Sequence, residues 1–118
     1  MAELTIYEVP KCSTCRKLKQ LLSERGVEYE GVAYHDVGIS EQRIRELARK
    51  AGVRPRDLLR RREPLASELG LLDDGGPGDD ELAALMAEHP RLLQRPIAER
   101  GDRAVLARPV ERVLELLD

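Results

Sequence analysis

The hydrophobic residues at the start of the chain follow the repeat of a strand and then that of a helix. Residues 4–7 alternate in character and are rich in strand formers, which predicts a first strand. The next stretch places its leucines on one face and its basic residues on the other and ends at Gly26, which predicts a helix. Residues 27–33 form a second strand candidate. The opening therefore predicts the order β-α-β.

The middle of the chain has the pattern of several helices. Ser40 caps a predicted amphipathic helix that ends before Gly52. Residues 56–72 are predicted to form short helical pieces broken at Pro64. The polar, glycine-rich residues 73–78 predict a flexible surface loop. We expect this part to be an insert between two halves of one fold.

The last third of the chain returns to strands. Asp79 or Asp80 is predicted to cap one more helix, which ends near His89. Two short strand patterns within residues 97–107 then predict a hairpin, and Pro109 is predicted to start a final helix.

This order of elements predicts a fold class. The succession β-α-β, helical insert at about residues 40–90, then β-β-α is that of a thioredoxin-like α/β fold, with a mixed four-stranded sheet flanked by helices. A chain of 118 residues fits one domain, which we expect to span residues 1–118. A domain of this size buries enough surface to be stable without disulfide staples.

Charge and hydropathy exclude several classes of protein. The chain has 20 basic and 22 acidic residues, a net charge of −2, so it lacks the basic excess of a non-specific nucleic-acid binder. It has no apolar stretch of the roughly 20 residues that a membrane span needs, and its first residues do not resemble a signal peptide. We expect a cytoplasmic monomer that binds neither nucleic acid nor membrane.

The two cysteines, Cys12 and Cys15, form a C-x-x-C motif directly after the first strand and at the start of the first helix. The unpaired N–H groups of a helix N-terminus favour an anion, and nearby basic residues add to that effect. In a reducing compartment such a pair is typical of redox chemistry, with Cys12 as nucleophile and Cys15 as resolving thiol. The alternative without function is a pair of inert, half-buried thiols.

Zinc binding is a further possibility for a C-x-x-C motif. It needs two more ligands, and His35 and His89 lie far apart without the spacing of a zinc site. We therefore expect no metal, and we expect both histidines to be structural or surface residues.

Several segments together resemble the ArsC-type arsenate reductases, and they extend from the first strand to the last helix. They are Cys12-Ser13-Thr14-Cys15-Arg16-Lys17, Leu58-Leu59-Arg60, Glu63-Pro64, Glu68-Leu69-Gly70-Leu71, His89-Pro90, Gln94-Arg95-Pro96-Ile97 and Ala107-Arg108-Pro109. The resemblance implies a thioredoxin-like fold in which Cys12 attacks arsenate. It also implies that three arginines hold the oxyanion, and that a cis proline, Pro96, lies beside the active cysteine. Those arginines are Arg60, Arg95 and Arg108.

The chain departs from the family pattern at two positions. Glu8 stands where the family often has a histidine, and a carboxylate there is expected to raise the pKa of Cys12. Cys15 stands where many glutathione- and glutaredoxin-coupled members have no second cysteine. With it, the chain is expected to release arsenite, form a Cys12–Cys15 disulfide and be reduced by thioredoxin, with glutaredoxin and glutathione as the other possible reductants. No metal or bound organic cofactor is implied.

Two other functions remain open from the sequence. Spx-type regulators resemble this fold, carry a C-x-x-C switch in the same place and bind RNA polymerase, but three arginines around Cys12 favour the reductase. A general disulfide oxidoreductase or glutathione-dependent enzyme on the same scaffold is the second alternative.

Overall fold

The computed structural model describes residues 3–72 and 76–117, and its strands form one mixed four-stranded sheet. The spatial order is β2-β1-β3-β4, with β1 and β2 parallel and the other two neighbouring pairs antiparallel. This confirms the predicted sheet. The strands are β1 (Leu4–Glu8), β2 (Glu30–Ala33), β3 (Ile97–Arg100) and β4 (Arg103–Leu106).

Five α-helices and three 3₁₀ helices accompany the sheet in the part of the chain that is described. The α-helices are α1 (Ser13–Glu24), α2 (Tyr34–Val37), α3 (Glu41–Ala51), α4 (Pro64–Glu68) and α5 (Asp79–Glu88). The 3₁₀ helices are Pro55–Leu58, Pro90–Leu92 and Val110–Leu116. Within residues 3–72 and 76–117, no helix is long and apolar enough to cross a membrane.

The first of two compact units comprises residues 1–37 and 95–118 and contains the whole sheet. Side chains alternate between the two faces of a strand, so Leu4, Ile6 and Glu8 of β1 share one face. Leu4 and Ile6 pack there against Leu18 of α1 and Val113 of the last 3₁₀ helix, all nearly inaccessible to solvent. This aliphatic cluster holds α1 against β1 and thereby places the segment that joins them.

The second compact unit comprises residues 38–94 and is built from α3, α4, α5 and two of the 3₁₀ helices. It occupies the stretch in which the sequence predicts a helical insert. Ser40 caps α3 as predicted, because its hydroxyl accepts a hydrogen bond of 3.1 Å from the Arg43 N–H. Gly52 ends α3 at a φ of 70°, a conformation that favours glycine. The expectation of one domain over residues 1–118 stays a prediction.

Some predicted boundaries are wrong, and the physical reasons are local. Pro64 begins α4 instead of breaking a helix, because proline fits the first turn, where no N–H bond is needed. Gly78, not Asp79 or Asp80, is the cap residue of α5, and the two aspartates lie in its first turn. The predicted loop 73–78 is only partly described, since residues 73–75 lie outside the described ranges.

The last helix and the second strand also differ from their predictions. Residues 110–116 form a 3₁₀ helix where the apolar spacing predicts an α-helix, and Pro109 is its cap residue. Strand β2 begins only at Glu30, and the sequence pattern did not predict the short helix α2 that follows it directly.

Candidate active site

Cys12 is the cap residue at the N-terminus of α1, at the end of the short loop that follows β1. Its own N–H donates to the Val9 carbonyl oxygen at 2.9 Å, and its carbonyl oxygen accepts from the Arg16 N–H at 3.0 Å. The side chain is half-buried. The Cys12 sulfur therefore lies at the end of α1 where N–H groups without helical partners favour a negative charge.

The pKa of Cys12 is lowered from 9.0 to about 7. Burial by itself raises it, but four hydrogen-bond donors to the thiolate more than compensate. They are the backbone N–H of Cys15, the Arg95 side chain, the Cys15 thiol and the backbone N–H of Thr14. At neutral pH about half of the Cys12 side chains are therefore thiolate, against a few per cent for an ordinary cysteine.

Cys15 has the opposite environment, although it lies only one helical turn away. Its side chain is completely buried, and its sulfur accepts a hydrogen bond of 3.5 Å from the Val9 N–H. Burial, with a smaller contribution from the neighbouring Cys12, raises its pKa to about 12. Both thiols are free. The pair therefore consists of one half-buried cysteine with a lowered pKa and one buried thiol with a raised pKa, and the roles of nucleophile and resolving thiol stay predictions.

Arg95 lies beside Cys12 in the same unit, just before β3, and the Arg95–Pro96 peptide bond is cis, as the resemblance implies. Its guanidinium nitrogens Nε and Nη1 are buried and have no hydrogen-bond partner among the described residues. Buried donors without an acceptor are costly, so such a group is expected to have a ligand. Arg95 therefore presents two N–H donors next to a thiolate.

Arg108 also belongs to the first unit and contacts Arg95. Its Nη1 atom donates a hydrogen bond of 2.8 Å to the Arg95 carbonyl oxygen, which ties the loop after β4 to the residue before β3. The exposed guanidinium borders a shallow pocket together with Thr14 and Lys17 of α1. The Arg108–Pro109 bond is cis as well, a feature that the sequence analysis did not predict.

Arg60 belongs to the second unit, where a carboxylate holds its side chain. Its Nη1 atom lies 3.0 Å from Oε2 of Glu63, which is buried, and Arg91 approaches the same carboxylate at 3.9 Å. The Arg60 N–H donates to the Leu92 carbonyl oxygen at 2.6 Å. The structure thus brings Arg95 and Arg108 to the cysteine segment, and the role implied for Arg60 stays a prediction.

Glu8, which the sequence predicts to raise the pKa of Cys12, forms an ion pair, and its effect on that pKa stays a prediction. Its carboxylate is 5% exposed, and its Oε1 atom lies 2.6 Å from Nζ of Lys19 on α1. This ammonium balances the charge of Glu8, which is not among the groups that most strongly set the pKa of Cys12. The effect of the missing histidine is supplied by backbone N–H groups and Arg95, which no side-chain motif could reveal.

The two histidines belong to different units, His35 to the first and His89 to the second. His35 packs edge-to-face against Tyr34, with ring centroids 4.8 Å apart, and His89 is the residue that ends α5. In the described residues, no three histidine, cysteine or acidic side chains are grouped as they would be around a metal ion.

This geometry predicts a distinctive pH profile for alkylation of Cys12. Iodoacetamide reacts with the thiolate, and a lowered pKa means that the thiolate persists as the pH falls toward that value. The rate should therefore rise through pH about 7 and level off above it, well below the range of an ordinary thiol. Arg95→Gln removes one donor, so the midpoint should move to higher pH and the rate at pH 7 should fall several-fold.

Arg112→Gln is the matched control for this experiment. Arg112 lies in the same unit, is exposed and pairs with Glu115 at 3.3 Å. Its midpoint should equal that of the unmodified protein, and an unchanged midpoint in Arg95→Gln would contradict the role of Arg95.

The chain is similar over nearly its whole length to members of one protein family. The model of the ArsC family matches residues 7–116. An arsenate reductase of Neisseria meningitidis is 35% identical over 118 residues, covering 99% of this chain and 100% of the relative. An Escherichia coli protein, YfgD, of uncharacterised function, is 35% identical over 116 residues, covering 98% and 97%. The solved structure of an arsenate reductase from Vibrio cholerae is 37% identical and superposes with a TM-score of 0.89, covering 95% of each chain.

Proposed function

Because the chain belongs to the ArsC family, we propose that it is an arsenate reductase, an enzyme that reduces arsenate to arsenite by thiol chemistry. The observation that carries the proposal is the pairing of a thiol of pKa about 7 with two buried, unpartnered N–H donors of Arg95. A general disulfide oxidoreductase needs the thiolate but has no use for such donors. An enzyme that reduces a tetrahedral oxyanion uses both the thiolate and the donors, since guanidinium groups bind such an anion through paired hydrogen bonds.

In the first step, the Cys12 thiolate attacks the arsenic atom. A sulfur–arsenic bond forms and one arsenate oxygen leaves as water, which gives a covalent Cys12–As(V) adduct. Arg95 and Arg108 hold the remaining oxygens and stabilise the charge that develops on them. Cys12 is ionised near neutral pH, so the attack needs no separate base.

In the second step, the Cys15 sulfur attacks the Cys12 sulfur. A disulfide forms, the sulfur–arsenic bond breaks, and its electron pair stays on arsenic, which is reduced from As(V) to As(III). The proton of the Cys15 thiol ends on an oxygen of the departing arsenite. Two thiols have then been oxidised and one arsenate reduced, so the electrons balance.

A dithiol reductant must restore the two thiols, and we propose thioredoxin. An internal disulfide is the natural substrate of a dithiol protein, whereas glutathione would first have to attack the arsenic adduct in place of Cys15. This cycle requires a reducing compartment, so we place the protein in the cytoplasm and expect it to act as a monomer. The anion-binding role of Arg60, implied by the resemblance, is part of the same proposal.

Arsenate-dependent oxidation of NADPH by the purified protein tests this function. One assay contains thioredoxin and thioredoxin reductase, and a parallel assay contains glutathione, glutaredoxin and glutathione reductase. Turnover with thioredoxin alone is expected. Turnover only with glutaredoxin would retain arsenate reduction but remove the resolving role of Cys15.

Silence in both systems would contradict the proposal and favour the alternative of a regulator that binds RNA polymerase. Protection of Cys12 from alkylation by arsenate, and weakly by phosphate, tests the anion site separately. Arsenate and phosphate share shape and charge, so lack of protection by either would contradict that site.

A further inference from the structure

Glu8, a buried carboxylate at the end of β1, forms an ion pair with the partly exposed Lys19 of α1. Glu8 at the end of β1 is 5% exposed, and its Oε1 atom lies 2.6 Å from Nζ of Lys19. Burying a carboxylate is costly unless a partner compensates its charge. The hydrogen bond to Glu8 raises the pKa of Lys19, which keeps the ammonium charged beside it. The pair thus joins a buried carboxylate to an ammonium whose side chain is 34% exposed.

The two members of this pair belong to the two segments that surround Cys15, the end of β1 and helix α1. Lys19 follows Cys15 by four residues on α1, so the two side chains lie on the same face of the helix. The negative charge of a Cys15 thiolate contributes to raising the pKa of Lys19. Val9, whose N–H donates to the Cys15 sulfur at 3.5 Å, is the residue directly after Glu8. The end of β1 therefore contributes both a hydrogen bond to the buried thiol and, one residue earlier, the carboxylate that pairs with Lys19.

The fold also leaves room for this carboxylate at Gly31. A Cβ atom at this position of β2 would collide with Oε2 of Glu8, and the Tyr29 ring borders the same space. Glu8 therefore occupies a site that a glycine on the neighbouring strand keeps open.

Cys15 requires such a group, because a buried thiol is a poor nucleophile until it loses its proton. Its pKa of about 12 leaves on the order of one thiolate in 10⁵ at neutral pH. Among the described residues, the other buried carboxylates are Glu63 and Glu99. Glu63 belongs to the second unit, and Glu99 bonds the Tyr7 hydroxyl on the face of the sheet opposite to Glu8.

We propose that the Glu8–Lys19 ion pair accepts the proton of Cys15 as Cys15 attacks the Cys12 sulfur. This inference rests on the proposed function and assigns a group to its second step. The disulfide bond forms and the bond from Cys12 to its leaving group breaks. The proton passes from the Cys15 sulfur to the Glu8 carboxylate, which later returns it to the departing oxyanion or to water.

The Lys19 ammonium lies 2.6 Å from Oε1 of Glu8, so a positive charge lies directly beside the proposed proton acceptor. The other charged or titratable groups around these side chains are Tyr29, Cys12 and Arg95. These three groups can also affect the pH profile. The effect of Glu8 is therefore measured in a variant that changes Glu8 and retains all three.

An aromatic disulfide, dithiobis(nitrobenzoate), separates the two steps without arsenate. The Cys12 thiolate attacks the reagent and releases a first thionitrobenzoate, and Cys15 then releases the second as it forms the internal disulfide. In Glu8→Gln we expect the first release to keep its rate and the second to slow by roughly 100-fold at pH 7, the scale of general-base catalysis. The second rate of this variant should rise steeply with pH and approach that of the unmodified protein in alkali.

Glu99→Gln is the matched control, because it changes an equally buried carboxylate on the opposite face of the sheet. Its second release should keep its normal rate and pH profile. The double variant Glu8→Gln/Lys19→Met leaves no unpaired charge in the interior and should show the same slow second step. It keeps the test valid if the single variant does not fold.

An unchanged second release in Glu8→Gln or in the double variant would overturn the proposal, as would equal slowing in Glu99→Gln. The assay contains no arsenate, so its outcome is independent of the reductase activity. A Glu8-dependent second step without any arsenate turnover would support this inference while the proposed function failed. The reverse result would retain the function and remove Glu8 from it.

Discussion

Replacing Cys12 by serine is expected to abolish arsenate reduction, by at least roughly 10⁴-fold, since no other residue can form the sulfur–arsenic bond. Cys15 cannot substitute for it, because its sulfur is completely buried and its pKa is about 12. The measurement is arsenite produced over time with an excess of either reductant system. Ser23→Ala, an exposed change in the last turn of α1, is the matched control and should retain full activity.

Arsenite production by Cys12→Ser at a rate close to that of the control would contradict the assignment of the nucleophile. The variant should retain the fold, because serine is similar in size and Cys12 is only half-buried. Unchanged circular dichroism and urea unfolding would show that the loss is chemical.

Replacing Cys15 by serine is expected to stop turnover when thioredoxin is the sole reductant, but not to stop the first attack. The Cys12–arsenic adduct should accumulate, because no second thiol lies within the protein to release arsenite. Mass spectrometry of the quenched reaction detects this adduct. Added glutathione should restore part of the activity, because it supplies a thiol from solution.

Full turnover of Cys15→Ser with thioredoxin alone would contradict the resolving role. The variant also carries a stability effect, because the hydroxyl enters a site that is completely buried. A urea unfolding curve run in parallel separates a loss of folded protein from a loss of chemistry.

Much of the fold could be predicted because the deciding interactions are local. The alternation in β1, the leucine face of α1 and the cap of α3 at Ser40 are each encoded within a few residues. The final helix differs, since its apolar spacing fits an α-helix and only the structure shows a 3₁₀ helix at Val110–Leu116. Pro64 has two uses, as a breaker or as a first helical residue, and the sequence alone does not choose between them.

The candidate site also has some features that the sequence predicts and others that it does not. The spacing of Cys12 and Cys15 and the order of strand and helix predict a nucleophile and a resolving thiol, and the structure places the first half-buried and the second completely buried. The sequence does not indicate the ion pair of Glu8, because its partner Lys19 lies eleven positions along the chain and meets it only after α1 packs on β1. The backbone N–H groups that lower the pKa of Cys12 belong to every residue, so no residue pattern can indicate them.

A single-turnover reaction tests the central claim most directly. The fully reduced protein is mixed with arsenate without any external thiol, and both arsenite and remaining free thiols are measured. The account predicts up to one equivalent of arsenite per chain, with the loss of both thiols and a Cys12–Cys15 disulfide in the peptide map. Recovery of both thiols unchanged, with no arsenite formed, would contradict it.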